Sequence, residues 1–184
     1  IASGNPGNGN VLGIRDFILN NIVFSSNDSE YKFIGKKEIL HLLRRGLLGT
    51  SLDPSFGSFL SSNTGSAIGK FYDADSLMQN ATENQISSDL ISAQAVNSNI
   101  SISSNIEDYQ KDFNNLYLSY LRNGTLTSTE ILLLQNIAQL CPFTDGSAVY
   151  QARALLIPFD TLRYWNTCEL NINLSNQRLT FSSN

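Results

Sequence analysis

Residues 105–168 read NIEDYQKDFNNLYLSYLRNGTLTSTEILLLQNIAQLCPFTDGSAVYQARALLIPFDTLRYWNTC, and they contain three amphipathic segments separated by turn signals. In the first segment apolar residues recur every three or four positions, which places them on one face of a helix. These residues are Tyr109, Phe113, Leu116, Tyr117, Tyr120 and Leu121. Asn105 is the predicted N-cap of this helix, and Gly124 is its predicted end.

The other two segments also carry start and stop signals. Thr127 and Glu130 have the spacing of a capping box, in which the hydroxyl and the carboxylate each bond a backbone amide at the helix start. Pro142 is predicted to end this helix, because proline cannot continue the backbone hydrogen bonds. A third helix is predicted to begin near Asp145 or Ser147.

Further helices are predicted upstream. Asp53 and Pro54 combine a cap with proline at the first helical position. Apolar spacing predicts helices over 36–45 and 68–78.

A second capping-box pattern at Thr82 and Gln85 predicts another helix start. Residues 11–24 fit either two short strands around an Asn-Asn turn or a helix followed by a strand, and an extended segment is favoured for 22–24. Residues 27–29 are predicted to form a turn.

We therefore expect a mainly α protein, a compact bundle of about six helices with a short extended N-terminal segment.

The third helix and its flanking cysteines carry a family resemblance. Cys141-Pro142, the stretch DGSAVYQARALL over 145–156, and Cys168 resemble the CP–GG–AVYxAR–C segment of many large exported surface proteins of the Bacteroidetes. Those proteins carry a type IX secretion sorting domain, and the segment lies near their C-terminal end. Three upstream stretches also resemble them: 36–40, 68–71 and 114–117.

The resemblance implies an extracellular protein at the cell surface and brings no chemistry with it. We expect a non-catalytic structural, adhesive or assembly module; the alternative is an accessory domain of a surface polysaccharide-degrading enzyme. The expected partners are other surface proteins, copies of the chain itself, or surface glycans.

The expected organisation has three parts. Residues 1–10 are rich in glycine and asparagine and are expected to form a linker. Residues 11–170 are expected to form a single helical domain. Residues 171–184 are expected to be a tail or the start of a linker to a sorting domain.

Composition excludes several function classes. The chain has 21 Asn and 24 Ser but only 15% charged residues, with a net charge of −4. No basic stripe is present to neutralise phosphates, so we expect no nucleic-acid partner. No apolar run approaches the length of a membrane span, so we expect no membrane insertion.

The two cysteines are predicted to pair. Cys141 and Cys168 lie 27 residues apart without a CxxC pattern or a nearby histidine, which argues against a metal site. In an exported protein the default is a disulfide, worth about 3–4 kcal/mol for a loop of this size. The alternative is two buried, reduced thiols.

Catalytic and metal signals are weak, so we expect no enzyme, no metal and no cofactor. His41 is the only histidine and lies among leucines, which is typical of a core or rim residue. Asp73 and Asp75 begin like a calcium loop, but Met78 occupies the position that requires glycine. Arg153 is expected to form an ion pair or to cap a neighbouring helix.

Two sets of residues have a functional alternative that we regard as weaker. Glu107, Asp108 and Asp112 could pair as carboxylates, but they are first expected to favour a helix N-terminus. Four aromatic residues could form a sugar platform, although helix-spaced aromatics usually lie in a core: Tyr117, Tyr120, Tyr164 and Trp165.

Modification signals are also present. Asp75-Ser76-Leu77 and Asp160-Thr161-Leu162 fit a short Asp–Ser/Thr–aliphatic pattern that is O-glycosylated in exported proteins of Bacteroidetes-type bacteria. The resemblance therefore implies Ser76 and Thr161 as candidate glycosylation sites.

Overall fold

The computed structural model describes residues 14–15, 18–19, 28–164 and 168, and most of these residues are helical. Residues 28–164 contain eight helices: α1 (Asp28–Arg44), α2 (Pro54–Thr64), α3 (Ala67–Asn84), α4 (Ser87–Ser98), α5 (Asn105–Asn123), α6 (Ser128–Ala138), α7 (Pro142–Asp145) and α8 (Ala148–Leu156). Residues 14–15 and 18–19 are also helical. The mainly α class is confirmed, and the expected number of about six helices is close to the number observed without matching it. Residues 22–24, favoured as extended, lie outside the described residues.

Three helix ends match the sequence patterns. The Asp53 carboxylate accepts a hydrogen bond from the amide of Ser55 at 2.8 Å, at the start of α2. At the start of α6 the amide of Glu130 donates to the Thr127 hydroxyl at 3.3 Å, and the amide of Thr127 donates to the Glu130 carboxylate at 2.8 Å. Gly124 ends α5 with a φ of 70°, a left-handed conformation that glycine adopts without strain.

The predicted cap of α5 is wrong by one residue. The N-cap is Ser104, whose hydroxyl accepts a hydrogen bond from the amide of Glu107 at 3.3 Å, and Asn105 is the first helical residue. The Glu107 carboxylate accepts a second bond from the amide of Ser103 at 2.7 Å. Serine and glutamate here satisfy amides on both sides of the helix start, so the cap forms one residue earlier than predicted.

The helix start predicted at Thr82 is also wrong. Thr82 lies inside α3, and its hydroxyl donates to the carbonyl of Gln79 at 2.8 Å. Helix α3 continues because Met78 and Ala81 remain buried on its inner face. Gln85, with a φ of 57°, ends the helix instead.

Two other boundaries differ from the predictions. Helix α1 begins at Asp28 rather than near residue 36, so the turn expected over 27–29 is wrong for Asp28 and Ser29. The buried side chain of Phe33, whose ring centroid is 6.0 Å from that of Phe71, explains the extension. Helix α6 ends at Ala138, and Pro142 begins the short helix α7, because proline is tolerated at the first helical position.

The apolar side chains form three clusters. The first joins α1, α2 and α3, with Leu40, Phe56 and Phe71 fully buried. The second joins α5, α6 and α8, and the third joins α3, α4 and α5 around Met78 and Leu118. Helix α5 packs against α3, α4, α6, α7 and α8, so it connects the second and third clusters.

A network of side-chain amides crosses this packing. The Gln110 amide group donates to Asn114 at 3.0 Å and to Gln151 at 2.9 Å. The Asn114 amide group donates to Asn97 at 3.2 Å. Gln110, Asn114 and Asn97 are each at most 1% exposed. Their hydrogen bonds fix the relative positions of α4, α5 and α8, because an unpaired buried amide would destabilise the fold.

Candidate ligand-binding groove

Helix α3 carries a polar stripe on the face opposite its buried residues. Tyr72, Ser76, Gln79 and Glu83 recur every three or four positions, so they lie along one side of the helix. Phe71, Ala74 and Met78 lie on the inner side. The apolar positions fix the rotation of α3, and that rotation presents the polar stripe outward.

Three hollows lie around this stripe, and Gln79 lines all of them. Two lie between α1 and α3, with volumes of about 340 and 280 Å³, and they also share His41, Tyr72 and Ser76. The third, of about 280 Å³, lies between α3 and helices α5 and α8. We call the three hollows together the α3 groove.

One pair of opposite charges on the α1 side of the groove is joined within the protein. The Lys37 ammonium lies 2.6 Å from the Asp75 carboxylate. The amide group of Gln79 donates to the Glu83 carboxylate at 2.7 Å. The lining therefore holds one internal ion pair and also carries the charges of Glu38, Arg45 and Glu83.

The Tyr72 ring is held from two directions. The guanidinium carbon of Arg44 lies 4.8 Å from its centroid, and the His41 ring lies edge-on at 5.6 Å. Arg44 is itself fixed, because it pairs with Asp73 and donates to the carbonyl of Thr64 at 3.3 Å. Tyr72 is thus an oriented aromatic side chain in the wall of the groove.

The opposite wall combines aromatic and amide groups. The rings of Phe113 and Tyr117 stack with centroids 5.9 Å apart and an interplanar angle of 13°. Asn114 and Gln151, two members of the buried amide network, line the same hollow. This wall is therefore positioned by the packing of α5 and α8.

The neighbours of His41 in the groove include Arg45, Ser76 and Asp75. His41 lies on the rim of the groove, half-buried, with its Nε2 atom 3.3 Å from Nη1 of Arg45. Ser76 and Asp75 line the same hollow, but among the described residues no hydrogen bond joins either of them to His41. The geometry supports the expectation of a rim residue.

The aspartates of the apparent calcium loop are occupied by other partners. Asp73 pairs with Arg44 and Asp75 with Lys37, so both carboxylates bind cations of α1. Within residues 28–164, no group of three or more His, Cys, Asp or Glu side chains is arranged to hold a metal ion.

The remaining charged candidates lie on α5 and α8. Glu107 belongs to the cap of α5, and Asp108 lies in the same first turn. Burial first, and then the Asp108 carboxylate, raises the pKa of Asp112. Arg153 donates from Nε to the carbonyl of Ala138 at 2.8 Å, which confirms the expected cap on a neighbouring helix.

Three of the four aromatic candidates pack against the core. Tyr117, Tyr120 and Tyr164 all lie against the second cluster, and the Tyr120 ring meets Phe159 edge-on at 5.9 Å. Tyr117 also lines the α3 groove. Trp165 lies outside the described residues.

The modification candidates occupy different backbone environments. The structure brings Cys141 and Cys168 together with Cα atoms 6.0 Å apart, within the usual range for a disulfide. Ser76 and Thr161 are both exposed. Ser76 lies in the middle of α3, whereas Thr161 follows Asp160 in the irregular stretch after α8. Ser76 and Thr161 therefore differ in their surroundings as candidate sites of O-glycosylation.

A separate hollow of about 450 Å³ lies between α5 and α6. Its lining is half aliphatic and half polar or aromatic: Leu116, Leu133, Ile137 and Leu140, with Tyr109, Asp112, Asn115 and Asn136. Nothing in the described residues indicates what would cover it, so we place the candidate site at the α3 groove.

No sequence motif predicted the groove, although the spacing of its α3 residues is visible in the sequence. The spacing of Tyr72, Ser76, Gln79 and Glu83 is visible, but their exposure depends on where α1 and α5 pack. No family model, curated protein or solved structure matches this chain. The described helices include none with the length and apolar character needed to cross a bilayer.

Proposed function

We propose that this protein is a non-catalytic binding or assembly module of a secreted cell-surface protein, and that the α3 groove is its contact surface. The observation that carries this proposal is the pairing of Lys37 with Asp75 beside the exposed side chains of Ser76 and Gln79. Such a surface can form hydrogen bonds with a partner.

The surroundings of His41 support a role without catalysis. A general base needs a nucleophile within hydrogen-bond reach and a third group that orients the base. The described contacts of His41 are the Tyr72 ring, edge-on, and the Arg45 guanidinium, and neither is a carboxylate that would orient the imidazole as a base.

The location at the cell surface rests on the sequence. The segment from Cys141 to Cys168 resembles exported surface proteins, and a disulfide between these residues suits an oxidising compartment. The abundance of Asn and Ser over charged residues is in keeping with such a protein.

Attachment by the whole chain tests the proposal. Fluorescent beads coated with the 184-residue chain are measured for saturable retention on bacterial outer-surface preparations and on wells coated with the chain itself. Ser76→Arg places a long side chain in the groove, and Ser92→Arg makes the same change at an exposed serine of α4, outside the groove.

We expect the wild type and Ser92→Arg to attach alike, and Ser76→Arg to attach at least about tenfold more weakly, a difference of ~1.4 kcal/mol. Equal attachment of all three proteins would place the contact elsewhere. Absence of attachment to every surface, or a catalytic turnover that is lost in His41→Ala, would contradict the proposal.

An accessory domain of a polysaccharide-degrading enzyme is the second candidate. The Tyr72 ring and the exposed Gln79 amide favour it, because both suit a sugar ligand. The two functions differ in ligand: an accessory domain binds the polymer being degraded, whereas a surface module binds a component of the cell surface. Retention on insoluble polysaccharide but not on outer-surface preparations would favour the accessory domain.

We also propose Thr161 as the better candidate for O-glycosylation. Asp160 accepts hydrogen bonds from the amide of Leu162 at 2.7 Å and from the Tyr164 hydroxyl at 2.9 Å, which fixes the backbone around the exposed Thr161. Ser76 instead lies within a helix, and a glycan there would fill the groove. Peptide mass mapping of the protein from its natural source distinguishes the two residues.

A further inference from the structure

We propose that the α3 groove binds a neutral oligosaccharide. This inference rests on the proposed binding role of the groove and adds the chemical class of its ligand. It is carried by three properties of the lining: the hydrogen-bonding groups, the oriented aromatic ring and the distribution of charge.

The hydrogen-bonding groups suit vicinal hydroxyls. The Gln79 amide group already donates to Glu83, and the Gln151 carbonyl already accepts from Gln110, which leaves the Gln79 carbonyl and the Gln151 amide group to bond a ligand. The Ser76 hydroxyl can both donate and accept. A sugar hydroxyl also donates and accepts, so each ligand group finds a complementary partner. Ser76 and Gln79 are exposed, so neither must leave a buried position to bind.

The Tyr72 ring suits the apolar side of a sugar. Part of the ring lines two of the three hollows, while Arg44 and His41 hold its orientation at 4.8 and 5.6 Å. A side chain that is already fixed loses little conformational entropy on binding. Tyr117, stacked on Phe113, supplies a second oriented ring in the hollow on the other side of α3.

The charges favour a neutral ligand over an anionic one. Lys37 is neutralised by Asp75 at 2.6 Å, and Arg44 is neutralised by Asp73. Glu38 and Glu83 also line the groove and would repel a carboxylate or a phosphate. An anionic polymer would need unpaired cations, and among the described residues only Arg45 adds a cation to this lining.

The shape favours an extended ligand with several sugar units. The lining of α3 runs from Tyr72 to Glu83, which is about 16 Å at ~1.5 Å per residue. A helical peptide would instead require a groove lined by apolar side chains. Among the described residues, Ile34 is the one exposed large apolar side chain in these hollows, and Met78, Phe113 and Tyr117 line the hollow beside α5.

Titration calorimetry of the whole chain tests this inference. The probes are maltohexaose, cellohexaose, mannohexaose and xylohexaose, with hexagalacturonate as the anionic probe and a hexapeptide of alternating Ser and Ala as the peptide probe. The groove variants are Ser76→Arg and Gln79→Ala. The matched controls are Ser92→Arg and Gln139→Ala, at exposed positions of α4 and at the end of α6.

We expect at least one neutral hexasaccharide to bind, with affinity reduced about tenfold or more by each groove variant and unchanged in the controls, a difference of ~1.4 kcal/mol. Absence of binding by all four at about 10 mM, well above a millimolar Kd, would overturn the inference. So would stronger binding of hexagalacturonate or of the peptide, or binding that is indifferent to Ser76→Arg.

The proposed surface role and the proposed ligand class can be contradicted independently of each other. If beads attach to surfaces through the groove but no neutral saccharide binds, the binding module stands and the ligand class is wrong. If a neutral saccharide binds in the groove but beads attach to no surface, the ligand class stands and the surface role is wrong.

Discussion

Glu30 illustrates how position changes the energetics of a single side chain. It lies in the first turn of α1 with only 7% of its surface exposed. Burial first, and then the Asp145 carboxylate, raises the pKa of Glu30 above its usual value. The stability that the protonated carboxyl contributes is therefore full below its unfolded pKa and is lost as the pH rises through its folded pKa.

Glu30→Gln is expected to raise the melting temperature at pH 7, because it removes a carboxylate that is unfavourable when ionised. At about pH 3.5, where Glu30 is protonated in both states, we expect the variant and the wild type to melt alike. A gain of ~1 kcal/mol corresponds to about 2–4 °C in a domain of this size. Thermal unfolding between pH 3.5 and 7 provides the measurement.

Glu38→Gln, an exposed site on the same helix, is the control and should change little at either pH. A lower melting temperature for Glu30→Gln at pH 7 would contradict the account. This burial was not evident from the sequence, because residues 27–29 resemble a turn and the start of α1 was expected eight residues later.

At the scale of elements, α2 and α3 approach closely at Gly69. A Cβ atom on Gly69 would overlap the carbonyl oxygens of Asn63 and Thr64, at the end of α2. Gly57, in the interior of α2, has nothing within 4 Å of its Cβ position. A methyl group therefore fits at Gly57 and overlaps backbone atoms at Gly69, so the two helical glycines form a matched pair for substitution.

Gly57→Ala should stabilise the protein by about 0.5–1 kcal/mol, because alanine favours the helix interior. Gly69→Ala should destabilise it, because backbone atoms cannot move aside as a flexible side chain would. Urea unfolding of both variants measures the two effects. If both substitutions stabilise the protein, the close approach of α2 and α3 is wrong.

The helix ends show what local sequence can and cannot predict. The cap at Asp53 and the capping box at Thr127 depend only on nearby residues, and both were predicted. Thr82 matches the same pattern but lies inside α3, because burial of Met78 and Ala81 extends that helix. A capping pattern is therefore informative only where the preceding turn is free to leave the helix.

At the scale of the whole molecule, the second half of the chain is joined by the amide network and by the cysteines. Gln110 and Asn114 connect α5 with α4 and α8. The Cys141–Cys168 contact connects the start of α7 to the chain beyond α8. Amphipathic spacing predicted the helices, but the amide network depends on tertiary packing and has no local signal.

Cys141 and Cys168 are expected to be oxidised in the native protein, closing a loop with a sequence separation of 27. The double variant Cys141→Ser, Cys168→Ser should lose about 3–4 kcal/mol of unfolding free energy. Intact mass after alkylation, with and without prior reduction, measures the redox state. Two alkylated thiols in the unreduced native protein would contradict the prediction.

The candidate site was less predictable than the fold. The polar stripe of α3 is visible in the sequence, but Tyr117 and Gln151 join the groove from distant parts of the chain. Its ligand chemistry depends on which charges are paired, and the Lys37–Asp75 pair forms only when α1 packs on α3. Sequence spacing therefore predicts helical faces, and packing decides which face can bind.

The central claim is that the α3 groove is the binding surface of the protein. The most direct measurement is amide chemical-shift mapping of the isotopically labelled chain during titration with glycan released from the bacterial outer surface. The account predicts progressive, saturable shifts concentrated at Tyr72, Ser76 and Gln79, with little change at Ser92 on α4. Shifts concentrated between α5 and α6, around Leu133 and Ile137, or no shifts at saturating glycan, would contradict it.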